Sequence, residues 1–439
     1  MTEPEKTKAG LLRTIGVLGL AAAVINVTIG SSVFVFPATV AAALGAAGIL
    51  PYLVAAALMG LIALCFAESG SRVTGAGGSY AYVGTAFGPF AAWLVGLLIY
   101  LGVQLIASAV VGSVFVRSLS VLVPSLGSGV PRAVLLAAIF AGFALVNIRG
   151  GSSGGIKVVQ WVTFAKLAPL LLLVAIGLIW FRPEYVRWET TPPVADIGRM
   201  AMRLIYLFAG VEAVLAVSGE IRDPSRTVPR GIFLGLVTVT VIYLGVQFAA
   251  QGLLGPALPT HDRAPLAEAA AVVLGDTGRT ILVLGGILST LGFLSADMLA
   301  SPRTLFAMAE AGRLPRALAS VHSRYQSPAV AIALHAGLAL ALAIYGDFDT
   351  LTALASSAIL SIYLLCCGAT LVLQRRRVGE ELRPVKLPLG PLIPLLAIGM
   401  VIALMTTLAR NEVIALGIVI VAAGLSYQVS RRPSSRAST

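Results

Sequence analysis

Lys166, Glu212 and Asp297 each stand inside a run of apolar residues long enough to cross a lipid bilayer. An ionisable side chain at that depth is costly to keep, so it pairs, carries protons or lines a solute path. For Glu212, a proton or conformational role stands beside a structural hydrogen bond. Asp297 reads as a structural or pathway residue rather than a direct ligand. Lys166 lies about ten residues, or ~15 Å, into its run, too deep to snorkel comfortably to either surface.

Backbone chemistry is signalled by two further stretches. NVTIGSSVFVFPA, residues 26–38, sets Gly30, Ser31 and Ser32 in a row with Pro37 close behind, where helix propensity favours none of them. RLIYLFAGVEAVLAVSGE, residues 203–220, places Gly210 and Glu212 in mid-run. Non-helical backbone at membrane depth is tolerated only where it is buried in protein or lines a wet cavity. A helix broken near Ile29 would free the N–H groups of Ser31, Ser32, Val33 and Phe34. The resumed half-helix starts with partial positive charge, which suits a carboxylate. Freed carbonyls of Thr28, Ile29, Phe208 and Val211 suit an ammonium. Tyr206 and Phe208 fit an aromatic wall or gate, or plain helix packing, while Ala209 and Gly210 leave room. Tyr100 and Gln104 are candidates to face the same space. Ser289 and Thr290 could join first-run carbonyls around a cation.

Covalent and metal chemistry find little support. His261, His322 and His335 are scattered, and neither a zinc-protease motif nor a nucleophile motif with partners occurs. Cys65, Cys366 and Cys367 fall within apolar runs at no metal-ligand spacing and read as packing residues. The expectation is therefore no enzyme activity, no cofactor and no metal.

The elements that position these groups follow from composition. Of 439 residues, 58% are hydrophobic and 11% charged, too little charge to cover the surface of a soluble chain this long. Continuous apolar runs predict an all-α integral membrane protein with about twelve spans. They are placed at 14–37, 46–67, 83–116, 131–148, 156–181, 199–219, 231–252, 278–310, 328–345, 350–373, 389–409 and 411–430. The runs do not alternate, which excludes a membrane barrel. The N-terminal tail lacks a cleavage signal after a short apolar core, so the first span is expected to stay. With the N-terminus inside, 21 of the 31 Lys and Arg fall on the cytoplasmic side and 9 outside. The net charge of +12 then reads as topology with some contact to anionic lipid, not as a nucleic-acid footprint. PLAEAAAVVL, 265–274, is expected to form a short helix over the outer entrance.

The two interrupted spans are the first and the sixth. Five crossings between them invert a repeated unit, which predicts a 5+5 inverted repeat: 14–181 and 199–373, with 389–430 adding two helices. Residues 1–13 and 431–439 are expected as cytoplasmic tails. Paired interruptions in inverted halves point to a transporter's binding site.

With those residues in view, the chain resembles the amino acid–polyamine–organocation (APC) transporter superfamily, whose helices share the LeuT-type repeat. That superfamily's first-helix motif usually reads Gly-Ser/Thr-Gly-Ile-Phe, and Gly30, Ser31, Ser32, Val33 and Phe34 stand in its place, with Ser32 replacing the second glycine. FAESGSRVTGAGGSYAYVGTAFG (66–88), residues 208–232 and residues 301–328 resemble the family's second, sixth and eighth helices with their inner loops. The resemblance implies alternating-access transport of amino acids or related amines in the cytoplasmic membrane. Phe164-Ala165-Lys166-Leu167 resembles the fifth-helix lysine of proton-dependent members, whose ammonium takes the place of a sodium ion beside the first and eighth helices. Proton coupling or exchange is the reading that follows. A sodium-coupled transporter, and a channel or membrane receptor, are the alternatives. The oligomeric state is left open.

Overall fold

A computed structural model of the chain describes residues 16–73, 78–150, 155–188, 191–210, 221, 224–310, 312–382 and 384–430. These residues are overwhelmingly helical, as lipid requires: with no water at depth, each segment must satisfy its own backbone. The helices are α1 (Val17–Thr28), α2 (Phe36–Leu44), α3 (Ile49–Arg72), α4 (Ser79–Phe87), α5 (Pro89–Leu97), α6 (Leu105–Leu122), α7 (Gly129–Gly150) and α8 (Gly155–Ile179). They continue with α9 (Val194–Phe208), α10 (Pro224–Leu254), α11 (Pro265–Glu310), α12 (Ala329–Tyr345), α13 (Phe348–Arg375), α14 (Leu392–Met405) and α15 (Arg410–Ser430). Seven stretches among the described residues are long and apolar enough to cross a membrane, and shorter apolar helices include α1, α12 and α14.

Burial sorts these helices. The stretch Pro89–Leu122 and the helix α13 are 72% buried along their most apolar windows, against 17% for α7 and α15. Exposed Val130, Val134 and Val146 on α7, with Ile418, Val421 and Leu425 on α15, present apolar surface as lipid-facing helices do. At the centre, α10 packs on α1, α3 and α8, while α11 packs on α8 and α6. The α13 helix lies against α3, α9 and the π-helical turn Leu98–Gln104 that joins α5 to α6. Cys65, Cys366 and Cys367 are buried and unbridged, consistent with packing.

Two boundaries correct the sequence reading. The run expected at 83–116 is interrupted, because Gly88 at φ 92° ends α4 and Pro89 starts α5. Proline is favoured at the first helical position and cannot continue the preceding helix, so the crossing begins at 89. Residues 265–274 are helical as expected, but they run into α11 through a kink at Gly275.

Polar clamps hold the helix ends. Glu68, 1% exposed, accepts from Arg72 Nη2 at 2.7 Å and from Gln374 Nε2 at 2.6 Å, tying α3 to α13. Glu68 is thereby an anchor at the helix end, held by a basic and an amide side chain. At the opposite ends of their helices, Arg203 on α9 meets Asp349 on α13 at 3.5 Å.

Candidate functional site

The first break lies where the Gly-Ser-Ser run falls. The α1 helix ends at Thr28, and Ile29 turns out of helix at φ −76°, ψ 87°. The chain resumes as a 3₁₀ turn, Ser32–Phe34, before α2 begins at Phe36 with Pro37 in its first turn. Gly30 N–H donates to Thr28 O at 2.9 Å, where a continuing helix would send it to Asn26 O. The carbonyl of Asn26 is thereby freed from its helical partner. Among the described residues, the N–H groups of Ser31, Ser32 and Val33 gain no backbone acceptor. Ser31, Ser32 and Val33 are themselves buried.

Two expected free groups are occupied. Phe34 N–H donates to Ser31 O at 3.1 Å, because the chain resumes as a tight 3₁₀ turn instead of remaining open. The carbonyl of Thr28 accepts from both Gly30 N–H and the Tyr243 hydroxyl, the latter at 2.8 Å. Neither is open to a ligand in this conformation. Among the described residues the Ile29 carbonyl has no backbone partner, and Thr28 Oγ1 and Ser31 Oγ are buried without partners.

The second break follows α9. Ala209 is extended at φ −64°, ψ 151°, and Gly210 takes φ 125°. Gly210 lies against the end of α1: a Cβ there would stand 2.7 Å from Val27 Cγ1. The second break therefore lies against the last turn of α1. Val211 and Glu212 lie outside the described residues. Phe208 is fully buried and meets the Tyr243 ring edge-on at 5.2 Å, and the Tyr206 hydroxyl is directed to the Ser32 side chain.

Tyr243 on α10 was not singled out by the sequence. Its hydroxyl lies 2.8 Å from Thr28 O and 2.9 Å from Leu207 O, so one proton is shared between the last turns of both broken helices. A buried tyrosine hydroxyl normally finds a partner, so a lone tyrosine within an apolar run was the available signal. Tyr243→Phe keeps the ring and leaves two carbonyls short of a donor, a cost of about 1–3 kcal/mol. The expected result is a lower melting temperature together with substrate binding weakened roughly fivefold to a hundredfold. Unchanged melting and affinity would show that the bridge is dispensable.

Lys166 reaches the first break from α8. Its Nζ donates to Asn26 O at 2.7 Å, satisfying the carbonyl that the break released. The expected partner on α11 is not engaged: Thr290 Oγ1 bonds within its own helix to Ile287 O, and Ser289 Oγ is buried with no partner. Lys166 is thus held at the carbonyl of Asn26 and not at the α11 hydroxyls.

Tyr100 and Asp297 are brought together elsewhere. Tyr100 directs its hydroxyl to His335, and Asp297 accepts from Ser108 and Ser301. Gln104 is on the same π turn with its Oε1 buried and unpartnered.

Comparison with known proteins agrees with this geometry. Residues 15–425 match the family described as Amino acid permease. The serine/threonine exchanger SteT of Bacillus subtilis (strain 168) is 30% identical over 440 residues, covering 97% of this chain and 99% of that protein. The branched-chain amino acid permease BcaP of Lactococcus lactis subsp. cremoris (strain MG1363) is 27% identical, over 85% of this chain and 84% of its own. Asc-type amino acid transporter 1 of Mus musculus is 26% identical, over 95% and 81%. With its motifs, its broken helices and these relatives in agreement, the chain belongs to the amino acid permease family of the APC superfamily.

Proposed function

We propose that the chain moves small neutral amino acids by alternating access, coupled to protons through Lys166 or run as an exchanger. The single observation carrying this reading is the packing of the second break against the end of α1, where the first break begins. Among the described residues the N–H groups of Ser31, Ser32 and Val33 gain no backbone acceptor at the first break, and Gly210 of the second break abuts Val27. Donors for a carboxylate and carbonyls for an ammonium thus share one place. Open space beside Gly30, with the Ser32 and Tyr206 side chains near it, suits a small or hydroxylated side chain. The similarity to SteT, a serine/threonine exchanger, supports the same class.

The architecture proposed with it is two inverted five-helix repeats, 14–181 and 199–373, followed by two added helices at 389–430. Both termini are cytoplasmic, in the cell's inner membrane, with lipid around the exposed apolar faces. The unpartnered Ser289 hydroxyl favours one second reading, in which sodium occupies the place near Asn26.

The test is competition for labelled serine in proteoliposomes, under separate proton and sodium gradients. If both ends of the amino acid are gripped by backbone, the methyl ester and the N-acetyl derivative each bind at least about tenfold more weakly, as loss of a charged hydrogen bond worth ~1.5–3 kcal/mol requires. Equal competition by the free amino acid and its methyl ester would overturn the reading. A sodium gradient that drives uptake where a proton gradient fails would replace the proton by sodium.

A further inference from the structure

A second group of polar side chains is buried where α6, α11 and α12 pack together, with Asp297 within electrostatic range of Tyr206 on α9. Asp297 on α11 accepts from Ser301 Oγ at 2.6 Å through one oxygen and from Ser108 Oγ of α6 through the other. His335 of α12 is fully buried, with Nε2 3.0 Å from Ser108 Oγ and 3.4 Å from the Asp297 carboxylate. Its Nδ1 lies 3.2 Å from the Tyr100 hydroxyl. Tyr100 itself belongs to the π-helical turn, a widened turn often found at functional sites.

Charge accounting decides what this group does. The Asp297 side chain is 9% exposed, and among the described residues its one ion-pair partner is His335. The neighbouring elements carry other titratable or charged groups, each with its own contacts. Lys166 on α8 bonds Asn26 O, Arg303 on α11 bonds Leu299 O, and Arg132 on α7 bonds Ala343 O. Tyr363 on α13 meets Phe66 edge-on, and Tyr206 on α9 faces Ser32. Toward the helix ends lie Arg149 on α7, Arg316 in the 3₁₀ turn Arg316–Ala319, Glu310 on α11, Arg117 on α6 over the Phe348 ring, and Arg279 on α11 paired with Glu268 and Asp276. A buried carboxylate without a permanent cation needs a proton nearby to be tolerated. Here the proton has one basic side chain to sit on and one carboxylate to share it with.

We propose that Tyr100, Ser108, Asp297 and His335 form a buried proton-binding site, separate from Lys166, whose occupancy holds α6, α11 and α12 together. With the proton bound, His335 Nε2–H donates to Ser108 or directly to Asp297, Ser108 O–H donates to Asp297, and Nδ1–H donates to the Tyr100 hydroxyl. When the proton leaves, Tyr100 O–H turns to donate to Nδ1 and the carboxylate loses its counter-charge. Binding of that proton ties the packing of α6, α11 and α12 to pH. Transport then depends on pH even when both sides of the membrane are at the same pH.

The experiment needs no substrate, so its outcome is independent of the transport reading. Melting temperature of the detergent-purified protein is followed from about pH 5 to about pH 8, the range in which histidine changes charge. The wild-type melting temperature should change by about 2–4 °C across that range, and His335→Gln and Asp297→Asn should each flatten that change. Should those variants fail to fold, His261→Gln with His322→Gln leaves His335 as the sole histidine, and its imidazole is observed by nitrogen NMR. Titration in that range, shifted by Tyr100→Phe, supports the site. An imidazole that stays in one charge state throughout, or a His335→Gln protein with the wild-type slope, overturns it.

Discussion

Gly210→Ala is expected to weaken substrate binding between fivefold and a hundredfold or more, while Gly30→Ala leaves the fold and its melting temperature unchanged. The two glycines flank the same space but differ physically. Gly210 takes φ 125°, a region that residues with a Cβ rarely occupy. Holding alanine there costs about 1–3 kcal/mol. The added Cβ would also stand 2.7 Å from Val27 Cγ1 and 3.4 Å from the Val27 carbonyl oxygen, so the two unwound segments must part. Their separation shifts the backbone donors of Ser31–Val33 relative to the second break, which is the geometry that grips both ends of an amino acid. Gly30 has no such conformation, and a Cβ there meets nothing within 4 Å. Its alanine variant should fold normally and lose affinity chiefly for bulkier substrates, since the added methyl enters the open space. Isothermal binding or competition uptake, paired with melting curves, checks both. Comparable affinities for wild type and Gly210→Ala would remove the close approach of the two breaks from the site.

That contrast marks how far the sequence reaches. Apolar runs and helix-breaking residues are local signals, so the all-α membrane fold and the interruption at Ile29–Ser32 could be read directly. The depth of Lys166 follows from counting residues, while its place beside the first helix was what the family resemblance implied. What it could not supply was the partner of each group. Whether Phe34 N–H is free depends on the 3₁₀ turn that resumes the chain, and Thr28 O is taken by a tyrosine over two hundred residues away. His335 looked isolated along the chain, yet it meets Asp297 and Tyr100 through the packing of separate helices. Long-range pairing of this kind leaves no periodic trace. Gly30 stood out in the sequence, whereas the strained and crowded glycine is Gly210.

Lys166→Ala is expected to abolish proton-driven accumulation while preserving part of substrate binding. The break in the first span turns Gly30 N–H away from Asn26 O, and the Lys166 ammonium takes its place at 2.7 Å. A hydrogen bond from a charged donor is worth about 1.5–3 kcal/mol, more than a neutral amine would give. Any movement of α1 away from α8 must break that bond. The position of α1 and the proton on Lys166 are therefore thermodynamically linked, each biasing the other. Alanine removes the proton carrier but leaves Ser31–Val33 and the second break in place, so binding through backbone survives in part. Arginine does not restore coupling, because guanidinium keeps its proton and its planar fork does not match one carbonyl at that depth. In sealed proteoliposomes, accumulation against an imposed proton gradient is measured beside exchange at equal pH. Wild type should show both, and both variants should lose the first. Full proton-driven accumulation by Lys166→Ala or Lys166→Arg would reduce the lysine to a brace for α1 and send the coupling elsewhere.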